Sequence, residues 1–244
     1  VYDNSTELGA ATVSGTSWSY SATVANGTTH QFNVRETDLA GNTSAATSNL
    51  EVTGDTTPPT VSGVAITSAT GIQNNLLNAG DNVSVTVTFS EVVNKTGTPQ
   101  MILAVGSDNR TATYASGTGN APLVFTYTIQ AGDNDTDGIS IGANVISLNS
   151  GSISDPAGNN ATLTHSAVSD NASYKVDTTA PTANFSTATD DVGTVRGALT
   201  SGNTTDDTAL VLSGTNEAES SVKVYNSTTE LDNATVSGTS WSYT

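Results

Sequence analysis

Apolar residues recur at every second position along much of this chain, and no stretch shows the three-to-four spacing of an amphipathic helix. Val83, Val85, Val87 and Phe89 alternate with Ser and Thr, and His30, Phe32 and Val34 share one face of the run His30–Glu36. Alternation puts successive side chains on opposite faces of an extended backbone, so such runs are read as half-buried strands. The same reading predicts strands near Thr16–Tyr20 and Ser48–Val52, then at Val61–Ile66, Gln100–Val105, Arg110–Tyr114 and Leu123–Ile129. Further runs at Ile139–Leu148, Ala161–Val168 and Tyr174–Val176 follow, and Ala209–Gly214 and Ser221–Tyr225 come after a polar stretch holding Asp190-Asp191 and Asp206-Asp207. Asn26-Gly27 between two alternating runs predicts a hairpin that joins them. Short strands at short intervals, separated by Gly, Asn and Asp turns, predict an all-β Greek-key β-sandwich architecture.

Two nearly identical segments punctuate this pattern: Asp55-Thr-Thr-Pro-Pro-Thr60 and Asp177-Thr-Thr-Ala-Pro-Thr182. Threonines favour extended backbone, and proline fixes φ, removes a donor and pushes its predecessor out of the helical region, so each segment reads as a stiff joint. A longer repeat sets the period. Val1–Tyr20 reappears as Val224–Tyr243 with 15 of 20 positions identical, an offset of 223 residues. The joints are 122 residues apart, which leaves 101 for a second kind of unit alternating with the first. The expected organisation is a linear array. Residues 1–54 form the C-terminal part of one domain, 55–176 a complete domain of the other kind, and 177–244 the N-terminal part of the next copy of the first. Two half-domains of one kind at opposite ends raise the expectation that the parent chain continues past Thr244 with a relative of Ser21–Gly54 or, failing that, that identical chains complete one another end to end.

Composition narrows the function. With 23 acidic and 6 basic residues and a net charge of −17, the chain has no basic cluster to neutralise phosphates, which argues against nucleic acid and towards cations. There is no cysteine, so neither disulfides nor thiolate metal sites can staple the fold. No apolar run approaches the roughly 20 residues of a membrane span. His30 and His165 lie in strand patterns with no nucleophile motif around them, and no enzyme is expected. Trp18 and Trp241 hold equivalent places in the repeat and are read as core residues; a carbohydrate-binding module would instead show an exposed aromatic row.

Several motifs carry a family resemblance. They are Asp190-Asp-Val-Gly-Thr-Val195, Leu212-Ser-Gly-Thr-Asn-Glu217, Val222-Lys-Val-Tyr225, Trp241-Ser-Tyr243, Thr37-Asp-Leu-Ala-Gly-Asn42 and the Asp-Thr-Thr-Xaa-Pro joint. In the middle of the chain they are Phe89-Ser-Glu91, Ala131-Gly-Asp-Asn-Asp-Thr-Asp-Gly138 and Asp155-Pro-Ala-Gly-Asn159. In this order they resemble the bacterial immunoglobulin-like repeats of giant surface adhesins, including the RTX-type adhesins. The resemblance implies tandem immunoglobulin-like sandwiches in an extracellular, calcium-stiffened extender on the bacterial cell surface. Its immediate partners would be neighbouring repeats of the same array.

The acidic residues fall into two expected sets of Ca²⁺ ligands. Asp133, Asp135 and Asp137 stand at alternate positions before Gly138, the spacing by which a looping backbone aims hard oxygens at one cation. Asn144 occupies the place of the bidentate Glu of an EF-hand, and strand-like flanks exclude that motif; a plain turn rich in Asp, Asn and Gly remains the alternative. In an immunoglobulin-type topology the chain start, the B–C loop and the F–G loop gather at one pole. That gathers Asp55, Glu91 and Asp155 in the middle domain, and Asp177, Glu217 or Glu219, and the counterpart of Asp38 in the next. Asp81 and the Asp133–Asp137 loop would face the joint at Asp177. Carboxylates packed this way repel one another unless a cation intervenes.

Overall fold

A computed structural model describes residues 1–194 and 196–244. Every named element among them is a strand. The chain divides into two compact units, Val1–Thr178 and Thr179–Thr244.

The first unit is built around one long strand, Asn82–Thr96. Over its first half it pairs antiparallel with Val61–Thr70 on one side and Asn120–Thr128 on the other. Its last residues pair instead with Ser152–Ser154. From Asn120–Thr128 the sheet continues through Asp108–Ser116 and Gln100–Val105 to Ile146–Ser147. The alternation in the sequence is realised as burial: Val83, Val85, Val87 and Phe89 point inward against Met101, Leu103, Leu123 and Phe125. Each such side chain withdrawn from water stabilises the fold by about 1.5–3 kcal/mol. A small sheet closes the end of this core, with Lys175–Asp177 antiparallel to Asn134–Asp135 and parallel to Leu76–Leu77.

Three expectations are corrected here. The runs 139–148 and 161–168 contribute Ile146–Ser147 and isolated bridges such as Ile141↔Val168 and Thr60↔Thr162, not long strands. Left-handed backbone at Asn144, Asn149 and Ser150 interrupts the extended run, although Ile139 and Ile141 are fully buried. Asn26-Gly27 does make a turn, closed by Thr28 N–H on the Ala25 carbonyl, but it joins no hairpin. Ser17–Ser19 pairs with Thr12–Ser14, and Thr29–Asn33 lies between Tyr2–Asp3 and Leu50–Thr53. The third correction is in the second unit, where the stretch read as polar contains the strand Asn184–Asp190.

That strand pairs with Gly197–Leu199 and Val211–Thr215. Val211–Thr215 pairs in turn with Ser240–Tyr243, which also pairs with Thr235–Ser237. A separate hairpin joins Lys223–Asn226 to Thr229–Asn233. Val222, Val224 and Trp241 form the small core, with Leu212, Ala234, Val236 and Tyr243 packed against it. Val195, the last residue of the run Asp190–Val195, lies outside the described residues.

Candidate metal centre

Asp55, Glu91 and Asp155 are brought together by three separate pieces of backbone. The joint is tied to the long strand by two hydrogen bonds, from Ser90 N–H to the Thr60 carbonyl at 2.8 Å and from Thr60 N–H to Ser90 Oγ at 3.0 Å. Glu91 is the next residue. Ser154 pairs with Asn94, which carries the following Asp155 back alongside the same strand. Asp155 is then fixed by its own loop: Oδ1 accepts the Asn159 N–H and Oδ2 accepts Asn159 Nδ2, both at 2.8 Å. Asn159 Nδ2 also donates to the Asp55 carbonyl at 3.1 Å, so one amide spans the joint and the loop. One carboxylate oxygen from each of the three acids then lies within 4.8 Å of the others.

The electrostatics of the trio are uneven. Burial, then the charges of Asp55 and Asp155, push the Glu91 carboxyl above its ordinary value, and no hydrogen bond offsets them. For Asp155 burial also acts upward, but the Asn159 side chain and the loop N–H groups outweigh it and hold the carboxyl below its ordinary value. Two acids are thus crowded against a third that resists ionisation for lack of a counter-charge. The donors are hard oxygens only, which suits Ca²⁺ or Mg²⁺. Two oxygens on one Ca²⁺ at about 2.3–2.6 Å stand up to about 5 Å apart, so the mutual separations within 4.8 Å are of the order that three ligands of one ion require.

The other predicted ligands have different surroundings. Asp133 is buried, and its oxygens accept Arg110 Nε at 2.6 Å, Tyr127 OH at 2.5 Å and Gln130 N–H at 2.8 Å. Asp135, also buried, accepts the N–H groups of Gly106 at 2.8 Å and Gly138 at 2.7 Å. Asp137 is exposed. Among the described residues these three do not form a ligand group, and the guanidinium of Arg110 stands where the sequence spacing anticipated a cation. Asn134 pairs with Asp177, so the loop lies beside the second Asp-Thr-Thr-Xaa-Pro segment. Asp81 Oδ2 accepts the Asn78 N–H at 2.8 Å, and Glu217 is exposed.

Asp38 repeats the geometry of Asp155. Its Oδ1 accepts the Asn42 N–H and its Oδ2 accepts Asn42 Nδ2, both at 2.8 Å. The pentapeptide Asp-Xaa-Ala-Gly-Asn therefore makes one loop twice, and its terminal Asn, which grips the Asp carboxylate, is the site-positioning residue that sequence reasoning missed. The recurrence of the motif at 38–42 and 155–159 was the signal that could have found it.

His165 lines a shallow groove with Val61, Val64 and Asn144. Its Nε2 accepts the Val145 N–H at 3.0 Å, which leaves Nδ1–H to donate to the Ser166 carbonyl at 2.9 Å. Both ring nitrogens are engaged in positioning backbone. No protein-family model, curated protein or solved structure matches the chain.

Proposed function

We propose that this chain is a structural extender segment of a bacterial cell-surface adhesin: tandem immunoglobulin-like Greek-key sandwiches, with boundaries near residues 54 and 176, that hold a distal binding domain away from the cell. Ca²⁺ would be held by Asp55, Glu91 and Asp155 and would supply the positive charge that lets three crowded carboxylates coexist. The convergence of these acids on the joint carries the reading, because Asp55 opens the Asp-Thr-Thr-Pro-Pro segment and the other two belong to the sandwich that follows it. The joint is also gripped from the preceding residues. Asn26 accepts the Thr56 N–H at 2.8 Å and donates to Thr57 Oγ1 at 2.9 Å. A cation at Asp55 would lock a connection that is already registered on both sides.

Calcium titration of the whole chain tests this. Extracellular sites of this class bind at roughly 10⁻⁴–10⁻³ M, and saturating ligand stabilises by about 2.7 kcal/mol at a hundredfold excess over Kd. The expected result is a melting temperature several degrees higher in millimolar calcium than in chelator, with the increment lost in the double variant Glu91→Gln, Asp155→Asn. Superimposable melting curves in calcium and chelator would refute the reading.

A further inference from the structure

The repeated sequence stands in two different environments. Trp241 is 6% exposed, whereas its counterpart Trp18 is 55% exposed. Val236 is half-buried, and its counterpart Val13 is 70% exposed. The local hairpins are the same, with Val13 paired to Trp18 and Val236 to Trp241. The difference lies in what covers them. In the second unit Val211–Thr215 pairs along the free edge of Ser240–Tyr243, setting Gly214 opposite Trp241. Asn184 accepts the indole Nε1–H on its carbonyl at 3.1 Å, and Phe185 lies 6.0 Å from the indole ring. In the first unit the corresponding edge of Ser17–Ser19 has no strand on it among the described residues. Trp18 instead lines an open apolar groove of about 410 Å³ with Val1, Tyr20, Phe32, Val34 and Leu50.

The lack is reciprocal. In the first unit Thr29–Asn33 pairs with Tyr2–Asp3, and Arg35 stacks 5.4 Å over the Tyr2 ring. In the second unit Lys223–Asn226 pairs only with Thr229–Asn233 among the described residues, and Tyr225, the counterpart of Tyr2, is 52% exposed. Each copy of the hairpin pair thus carries the strands that the other lacks.

We propose that the Trp18 groove is a docking site for an antiparallel strand pair of the Asn184–Asp190/Val211–Thr215 kind, supplied by another repeat. Its occupant is specified by the covered copy. An edge strand must run along Ser17–Ser19 with a glycine opposite Trp18, because a Cβ at Gly214 would stand 2.5 Å from the indole nitrogen and 1.8 Å from the Asn184 carbonyl. An apolar residue two positions earlier, as Leu212 is, must face the core, and a backbone carbonyl must accept the indole N–H. Pairing satisfies an open strand edge and removes an apolar face from water in one step.

The inference shares with the proposed function the reading of the chain as alternating sandwiches, but it needs no cation. The test therefore runs in chelator, where failure of calcium binding cannot affect it. Asp177–Lys223 is placed directly ahead of Val1 in the full chain, reproducing there the sequence that stands ahead of Val224. Acrylamide quenching then reads the two tryptophans. The parent should show one accessible and one shielded tryptophan, and the extended chain two shielded ones with a blue-shifted emission. Gly214→Val made in the appended copy alone should return Trp18 to solvent. The proposal is overturned if Trp18 stays as accessible in the extended chain as in the parent, or if the valine-bearing extension shields it equally. Saturable shielding of Trp18 by oligosaccharides, with none from the extension, would overturn it in favour of a sugar-stacking surface.

Discussion

Asp133 shows how one buried carboxylate is kept charged. Burial acts to raise its pKa, but hydrogen bonds from Tyr127, Gln130 and Arg110 outweigh that and hold it below the ordinary 3.8. Removing this carboxylate strands the buried Tyr127 hydroxyl and the Gln130 N–H, an unsatisfied-donor cost of about 1–3 kcal/mol. Asp133→Ala is expected to destabilise the first unit by that order in denaturant melts, while Asp137→Asn, at an exposed position, should change stability by less than about 0.5 kcal/mol. The pH dependence follows from sign. A depressed carboxyl contributes stability that is present above its unfolded value and lost as pH falls through its folded value, so the gap between parent and Asp133→Asn should shrink below pH 3.8. Tyr127 acts at the other limit. Burial and the bond to Asp133 push its phenol from 10.0 to about 12, so its contribution is complete below 10 and is lost as pH rises through about 12. Tyr127→Phe should flatten that alkaline loss, as read by stability measured against pH.

The loop Asp155–Asn159 is the element that joins chemistry to architecture. Its carboxylate is a third of the candidate metal group, and its Asn159 amide reaches the Asp55 carbonyl across the joint. Asn159→Ala leaves the backbone bond to Asp155 in place but removes two side-chain hydrogen bonds, worth about 1–2 kcal/mol together. The variant should therefore melt lower and gain less from calcium than the parent. Asn42→Ala is the control. Asn42 makes the same grip on Asp38 but bonds no joint residue, so its loss should leave the calcium increment unchanged; equal losses in the two variants would separate the loop from the joint.

Over the whole molecule, a charge of −17 sets up repulsion that ordinary salt screens over about 10 Å at 0.1 M. A specific site behaves differently from screening. Millimolar CaCl₂ is expected to narrow the distribution of dimensions in small-angle scattering and raise the melting temperature beyond what NaCl of equal ionic strength achieves. An identical response to the two salts would assign the whole effect to screening.

Strand positions with strict alternation were legible because period two and burial coincide there: Val83 to Phe89 and Gln100–Val105 lie in strands as read. Asn184–Asp190 was not legible, since its pattern is weak and its pairing with Val211–Thr215 supplies what its own hydrophobicity does not. The trio Asp55, Glu91 and Asp155 was anticipated from topology, and it does converge. The loop at Asp133–Asp137 read locally as a cation loop, because alternating carboxylates before a glycine look the same whether a metal or an arginine answers them. Arg110 lies 23 residues from Asp133, and only the sheet brings its guanidinium to that one carboxylate of the loop. Local sequence settled the all-β character and the duplicated hairpins, which depend on neighbours within a few residues. Whether a given carboxylate faces an arginine, an asparagine or two other acids, and whether the same tryptophan is covered or open, depends on strands distant in the chain, and tertiary structure alone decided it.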